Sequence, residues 1–324
     1  LGINIKILMI KKRKSFIVGL KGLYLSKKEK YFLNKYKPWG IILFSRNIND
    51  LKQVKKLTQD IRKVFKDRKY PILIDQEGGR VNRLRKFIDT DTFTGNYFGN
   101  LFQKDKKKFL INYNIFNIKI SNILNELGIN INTVPVLDLR KKNSSSIIGD
   151  RSFSSNPYIV SQIGDFCIKI FSKQKIATVI KHVPGHGLAK VDSHKSTPTV
   201  YAKLKTLLKN DFTPFKKKKS FFSMTAHIIY KDIDPINTAT HSINVIRLIR
   251  NKIGFKNIIM SDDISMKALK FSLKVNTLKA FTAGCNLVLH CNGNYNEMKI
   301  VGDNSPLVDS FIIKKTSQFY KFLS

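Results

Sequence analysis

The residues best suited to chemistry lie together in one stretch, KHVPGHGLAKVDSHKSTP, which runs from Lys181 to Pro198. It holds three histidines, one aspartate and three lysines among glycines and prolines that interrupt regular structure. Histidine titrates near neutral pH, so this stretch can donate and accept protons under ordinary conditions. The alternative is that the histidines are polar loop residues satisfied by the backbone. Which of these two interpretations holds depends on the residues that the rest of the chain places beside the histidines.

Two adjacent carboxylates, Asp262 and Asp263, follow an apolar run in MSDDISM. Neighbours on a strand point to opposite faces, so only one of them can face a site. We expect the other to cap a helix that starts near Ser265. A carboxylate in a site can act as nucleophile or base, and His194, with Asp192 two residues earlier, offers an acid/base partner.

Two further motifs, DQEGGRVNR at 75–83 and GDRSF at 149–153, supply arginines suited to binding hydroxyl, carbonyl or carboxylate oxygens. Together these residues predict a site for a polar, partly anionic substrate. His182, His186 and His194 could in principle bind zinc. The chain has no HExxH motif and no Cys/His framework, so we predict neither a metal nor a cofactor.

The elements that must position these groups are short apolar runs, each followed by a loop and most then by a helical pattern. The predicted strands are 16–20, 39–44, 71–75, 131–138, 177–182, 221–227, 257–262 and 286–290. The predicted helices start at a capping box of Ser26 and Glu29, near Asp50, near Lys104, near Ser242 and near Ser265. The last three end at Gly128, Gly254 and Gly284.

Eight strands alternating with helices indicate an α/β chain folded as a (β/α)8 TIM barrel, with residues 1–324 as a single domain. A doubly wound sheet is disfavoured, because no glycine-rich phosphate motif follows the first strand. Reactive side chains terminate five of the predicted strands: Asp75, Asp138, Lys181 with His182, His227 and Asp262. Barrel enzymes assemble their sites at these ends, although a carboxylate there can instead simply cap the next helix.

The formal net charge of +37, from 59 Lys and Arg against 22 Asp and Glu, raises the question of a polyanionic partner. The lysines are spread along the chain without an aromatic-interleaved stripe, and the excess of Ile, Asn and Phe fits A- and T-rich codons. We therefore expect no specific nucleic-acid partner. Three cysteines without metal-site spacing indicate a reduced compartment. With no secretory signal pattern and no membrane span, we expect a cytoplasmic monomer.

The strings IDQEGGRVNRL, IIGDRSF, KHVPGHG with VDSH, MTAH and MSDDISM run in order within residues 16–290. They resemble glycoside hydrolase family 3, in particular its single-domain bacterial β-N-acetylhexosaminidases of peptidoglycan recycling. The resemblance implies a retaining enzyme that removes N-acetylglucosamine from the non-reducing end of anhydromuropeptides. It implies Asp262 as nucleophile and His194 as proton donor and acceptor, in a dyad with Asp192. The residues implied to hold the sugar are Asp75, Arg83, Arg151, Lys181 and His182.

Retaining hydrolysis needs a carboxylate on one side of the anomeric carbon and a proton donor at the leaving oxygen. A histidine donor is neutral after giving up its proton, so it does not repel an anionic acceptor in the second step. A phosphorylase that uses phosphate in place of water is therefore one alternative. The other is a basic binding protein on a decayed enzyme scaffold, which retention of Asp192, His194 and Asp262 disfavours.

Overall fold

The computed structural model describes residue 8 and residues 10–141, 147–189 and 196–324. Within these ranges, all eight predicted strands form and close into one parallel barrel, so the predicted (β/α)8 architecture is confirmed. The barrel strands are Lys14–Gly19 (β1), Pro38–Leu43 (β2), Ile72–Ile74 (β3), Ile131–Asn132 (β4), Ala177–Val183 (β5), Phe222–Thr225 (β7), Ile258–Asp263 (β9) and Leu287–His290 (β10). Each barrel strand pairs with the barrel strands that come before and after it in the chain, and β1 closes the ring by pairing with β10. Thr199–Val200 (β6) and Ile229–Tyr230 (β8) form a separate pair.

The fourth strand is much shorter than the predicted run of 131–138. Pro135 has no backbone N–H to give to a ladder, so regular pairing stops at Asn132. The chain stays beside β5 through two backbone bonds, from Leu137 N to the Lys181 oxygen and from Lys181 N to the Pro135 oxygen. This irregular path carries Asp138 up against the end of β5.

All but one of the described α-helices begin at a polar N-cap residue whose side chain accepts from an N–H of the first turn; the exception is Leu204–Lys209. The helices are Lys27–Tyr36 (α1), Leu51–Phe65 (α2), Gly95–Lys104 (α3), Lys106–Leu127 (α4), Pro157–Lys173 (α5), Leu204–Lys209 (α6), Ile243–Leu248 (α7), Leu273–Ala283 (α8), Tyr295–Asn304 (α9) and Ser310–Phe322 (α10). The predicted caps at Ser26, Asp50 and Ser242 are confirmed. In the described part of the chain, no helix has the length and apolar character needed to cross a membrane.

The helix expected from about Lys104 forms as α4 from Lys106, capped by the side chain of Asp105, and ends at Gly128 as predicted. One predicted helix start is wrong. The helix expected near Ser265 begins only at Leu273, with Ser272 as its cap. Between the end of β9 and this cap the chain forms turns.

The barrel interior is filled from its amino-terminal end, which leaves the other end open. Trp39, at the start of β2, is fully buried and donates its indole N–H to Thr316 Oγ1 of α10 at 2.9 Å. Phe222, at the start of β7, meets Phe319 of α10 edge to face. The carboxyl-terminal helix, for which the sequence offers no motif, therefore plugs the bottom of the barrel.

Helix α3 fixes the loop that carries Arg151 by unusually close contact. A Cβ on Gly99 would lie 1.5 Å from the Phe153 carbonyl oxygen, and one on Gly95 would lie 2.2 Å from that of Arg151. A glycine inside a helix lowers the stability of that helix. Gly99 is nevertheless required here, because any side chain would collide with the backbone of Phe153. The backbone of the GDRSF motif is thereby held against the barrel mouth.

Candidate active site

The open, carboxyl-terminal ends of the barrel strands surround a cavity of about 230 Å³. Asp75 directly follows β3, Lys181 and His182 belong to the end of β5, and Asp262 belongs to the end of β9. All six described residues that the family resemblance singled out line this cavity: Asp75, Arg83, Arg151, Lys181, His182 and Asp262. The other two, Asp192 and His194, lie outside the described residues.

One wall of the cavity is built on the carboxylate of Asp75. Lys181 Nζ contacts one of its oxygens, which also accepts from Thr133 Oγ1 at 2.6 Å, and the guanidinium of Arg83 lies 3.0 Å from the other. Burial by itself would raise the pKa of Asp75, but the charges of Lys181, Arg83 and Arg151 outweigh it and hold the pKa well below its usual range. Asp75 is therefore a permanent hydrogen-bond acceptor at working pH.

Glu77 extends this charge network, and sequence reasoning missed it. Arg151 donates to both Glu77 oxygens, at 2.8 and 2.7 Å, and Lys181 Nζ lies 2.5 Å from one of them. Burial opposes ionisation of Glu77, yet Arg151 and Lys181 hold its pKa below the usual value. Its spacing from Asp75 was an available signal. Side chains two residues apart in an extended chain point to the same side, so Glu77 could be expected to face the same wall as Asp75.

A turn of two glycines returns the chain so that Arg83 can reach Asp75. Gly78 and Gly79 have φ of 105° and 55°, in the region that side chains disfavour. A Cβ on Gly78 would also lie 2.6 Å from the Phe93 carbonyl oxygen. The two glycines thus fold the loop 75–83 tightly enough to place Asp75 and Arg83, its first and last charged residues, on one wall of the cavity.

The imidazole of His182 is oriented by Asp138, which is fully buried. Asp138 Oδ2 lies 2.7 Å from His182 Nδ1, and Asp138 Oδ1 accepts from the backbone N–H of His186 at 2.7 Å. Burial raises the pKa of Asp138, but His182 and His186 more than offset it, so the carboxyl stays ionised. An ionised Asp138 requires the proton on His182 Nδ1 and leaves Nε2 as the nitrogen free for a ligand.

The two adjacent aspartates have different environments. Asp262 Oδ1 accepts the backbone N–H of Asp263 at 2.7 Å, whereas Asp263 Oδ1 accepts from the N–H and hydroxyl of Ser265 at 3.0 and 2.8 Å. Asp263 therefore holds a turn and does not cap a helix, which is why no helix starts at Ser265. Burial raises the pKa of Asp262, but His227, His182 and the Asp263 N–H lower it below its usual value, so it is ionised.

His186, considered above as a zinc ligand, is buried, and its Nδ1 has no hydrogen-bond partner in the ranges that the structure describes. Burial lowers its pKa to about 4, against the opposing effect of Asp138, so the ring is neutral. Among the residues that the structure describes, no three His, Cys, Asp or Glu side chains form a group that could hold a metal ion.

Comparison with known proteins places the chain among glycosidases. The model of the glycosyl hydrolase family 3 N-terminal domain matches residues 9–315. A β-hexosaminidase of Actinobacillus succinogenes is 33% identical over 308 residues, which cover 91% of this chain and 86% of that protein. One of Nitrosomonas eutropha is 34% identical over 264 residues, covering 78% and 73% of the two chains. The crystal structure of NagZ from Neisseria gonorrhoeae with N-trifluoroacetyl-D-glucosamine superposes with a TM-score of 0.86 at 28% identity, covering 96% and 90%.

The buried carboxylate of Asp138 yields a stability prediction. Asp138→Asn should lower the free energy of unfolding by about 2–3 kcal/mol at pH 7, because it weakens hydrogen bonds to a charged acceptor and buries an amide against donors. Since folding lowers the pKa of Asp138, this loss should begin to shrink as the pH falls below about 4, where the carboxyl of the unfolded chain takes up a proton, and should disappear only below the lower pKa of the folded carboxyl.

Urea denaturation at pH 7 and at about pH 3, below the pKa of the unfolded carboxyl, measures both effects. Asp150→Asn is the control, because Asp150 is half exposed in its ion pair with Arg80 and should change stability little. Equal losses in the two variants would contradict the assigned role of Asp138.

Proposed function

This chain belongs to glycosyl hydrolase family 3 and is a β-N-acetylhexosaminidase, and from that premise we propose that it releases terminal, non-reducing N-acetylglucosamine from peptidoglycan fragments. The observation that carries the proposal is an ionised Asp262 facing a cavity whose opposite wall is lined with fixed cations and acceptors. Such a cavity offers both a nucleophile and polar groups that can bind a sugar.

We propose that Asp262 is the nucleophile. Its Oδ1 is held by the Asp263 N–H, which leaves the second oxygen to attack the anomeric carbon. The bond from that carbon to the leaving oxygen breaks as the glycosyl-aspartate ester forms. Water then attacks the same carbon, the ester bond breaks, and the sugar leaves with its original anomeric configuration.

The proton for the leaving oxygen is assigned to His194, with Asp192 as its partner, from the VDSH motif alone. A histidine can protonate the leaving group in the first step and remove a proton from water in the second. Asp192 would favour the charged, donating form of the ring.

The sugar-holding role is assigned to Asp75, Arg83, Arg151, Lys181 and His182. Ionised Asp75 can accept hydrogen bonds from sugar hydroxyls, and the three cations can donate to hydroxyl or acetamido oxygens. These side chains are held by one another before any ligand arrives, so little ordering is needed on binding.

A groove beside the cavity favours an anionic leaving group, as in a peptidoglycan fragment that bears carboxylates. It measures about 420 Å³ and shares Arg83 with the sugar cavity. Its other cationic residues are Arg80, Arg85 and Lys86. Both side chains of the Arg85–Asp91 ion pair are exposed, so the pair is weak and a ligand carboxylate can replace Asp91 as the partner of Arg85.

The nucleophile is tested by substituting each of the two aspartates. Asp262→Asn should abolish turnover of an aryl β-N-acetylglucosaminide with the fold intact, because an amide cannot form the ester. Asp263→Asn is the matched control, since its amide oxygen can still accept from Ser265, and it should retain activity orders of magnitude higher. Equal loss, or greater loss at Asp263, would show that the wrong carboxylate has been chosen. Assays with and without phosphate would separate hydrolysis from phosphorolysis.

The acid/base role predicts a dependence on the leaving group. His194→Ala should slow alkyl glycosides and natural disaccharides far more than aryl glycosides with good leaving groups, because only poor leaving groups need a proton to depart. Asp192→Asn should show a milder version of the same pattern. Steady-state kinetics over a series of leaving groups measures it. A uniform slowing of every substrate would remove His194 from this role.

The groove predicts a charge-selective effect. Replacing Arg85 and Lys86 together by Gln should lower kcat/KM about tenfold at low salt for glycosides with carboxylate-bearing leaving groups. Neutral aryl glycosides should be unaffected, and the difference should shrink as salt is added. The control is the double Gln variant of Lys205 and Lys209, which are exposed on α6 and line neither cavity. Equal effects of the two double variants would attribute the change to overall charge and contradict a specific groove.

A further inference from the structure

Behind Asp262, a short series of hydrogen bonds connects β7 to the end of β9, through three residues that do not line the sugar cavity: Thr225, Thr240 and His227. Thr225 Oγ1 lies 2.8 Å from Thr240 Oγ1, which lies 2.7 Å from His227 Nδ1. His227 Nε2 lies 2.9 Å from the carbonyl oxygen of Asp263. The N–H of Asp263 in turn binds Asp262 Oδ1 at 2.7 Å.

The proton positions in this series follow from the chemistry of its two ends. The Asp263 carbonyl can only accept, so His227 Nε2 must carry a proton. Burial lowers the pKa of His227, against the opposing effect of Asp262, so the ring is neutral and Nδ1 is bare. The Thr240 hydroxyl also lies 3.2 Å from the Ala226 carbonyl oxygen. The bare Nδ1 is nearer, at 2.7 Å, and is satisfied when the Thr240 hydroxyl donates to it and the Thr225 hydroxyl donates to Thr240.

The three side chains of the series are sealed from solvent. Thr225 and Thr240 are fully buried and His227 is 1% exposed. Thr240 comes from the turn Ala239–His241, just before the Ser242 cap of α7, so the loop after β7 returns to the barrel to deliver it. An unmade hydrogen bond here could not be replaced by bulk water and would cost more than one at the surface.

We infer that His227, held in one tautomer by Thr240, is a positioning residue that fixes the backbone around Asp263 and thereby aims the carboxylate of Asp262. The inference rests on the proposed nucleophilic role of Asp262. With its carbonyl bound by His227 and its N–H bound by Asp262 Oδ1, Asp263 has little freedom to turn. Asp262 thus keeps one oxygen tied and one oxygen free for attack.

The charged and titratable groups that act on these two residues come from several elements. His227 is influenced by Asp262, Asp263 and His182, and it acts in turn on His241 of the returning loop. Asp262 is influenced by His227, His182 and Lys181. Because a neutral His227 donates to a carbonyl and not to a carboxylate, it orients the nucleophile without neutralising its charge.

A pair of substitutions at Thr240 tests this role. Thr240→Val keeps the shape but removes the hydroxyl, and should lower kcat about tenfold on an aryl β-N-acetylglucosaminide with a good leaving group. Thr240→Ser keeps the hydroxyl and should stay within about twofold of wild type by the same reasoning. The inhibition constant of N-acetylglucosamine should be unchanged in both, because Thr240 and His227 do not line the sugar cavity. The acid limb of kcat/KM should move to higher pH only in Thr240→Val, because a less well held Asp263 N–H stabilises the Asp262 anion less.

A second pair guards against failure of Thr240→Val to fold. His227→Gln retains an N–H donor for the Asp263 carbonyl and should keep more activity than His227→Leu. Equal melting temperatures of the two variants would show that the difference in activity does not come from unfolding. Equal kcat for Val and Ser at position 240, or for Gln and Leu at 227, would overturn the inference.

Asp262→Asn is assayed alongside these variants to separate two kinds of failure. If it retains activity, the proposed nucleophile is wrong whatever the other variants do. If it is inactive while the paired variants do not differ, the positioning role of His227 alone is wrong.

Discussion

Lys181 is a buried ammonium group between two carboxylates, and the barrel mouth is arranged around its charge. Its side chain is 2% exposed and touches both Asp75 and Glu77. Burying a charge without enough compensation costs several kcal/mol, so movement of Lys181 would weaken the compensation of both carboxylates at once. The tight Gly78–Gly79 turn and the close packing of α3 on the Arg151 loop add Arg83 and Arg151 to the same network. The result is a preorganised polar wall.

Asp262 lies in the same cavity but has a different kind of environment. Asp75 is compensated by direct contact with cations, whereas among the described residues Asp262 accepts one hydrogen bond, from the next backbone N–H. Both carboxylates are ionised, yet only Asp262 keeps an oxygen that is not committed to a neighbouring side chain. Their neighbours therefore give two chemically identical groups the different environments that the proposed binding and nucleophilic roles require.

The sequence predicted the eight strands because strands buried on both faces read as continuous apolar runs. It overestimated the length of β4. The run 131–138 looks like one apolar strand, but Pro135 has no backbone N–H to donate to a neighbouring strand. The sequence placed a helix start at Ser265 instead of Ser272, because local capping signals do not show that Asp263 already uses Ser265 in a turn. Glu77 was missed because its partner Arg151 is 74 residues away in the chain, and no local pattern encodes such a contact. Asp192 and His194 still rest on their motif.

The central claim is a covalent glycosyl ester on Asp262, and the direct measurement is mass spectrometry of the enzyme quenched in acid during turnover. A dinitrophenyl β-N-acetylglucosaminide supplies the sugar, and peptic digestion locates the adduct. The account predicts one N-acetylhexosaminyl adduct on the peptide that spans residues 258–266, with fragmentation assigning it to Asp262. An adduct on Asp263, or a product of inverted anomeric configuration without any adduct, would contradict it.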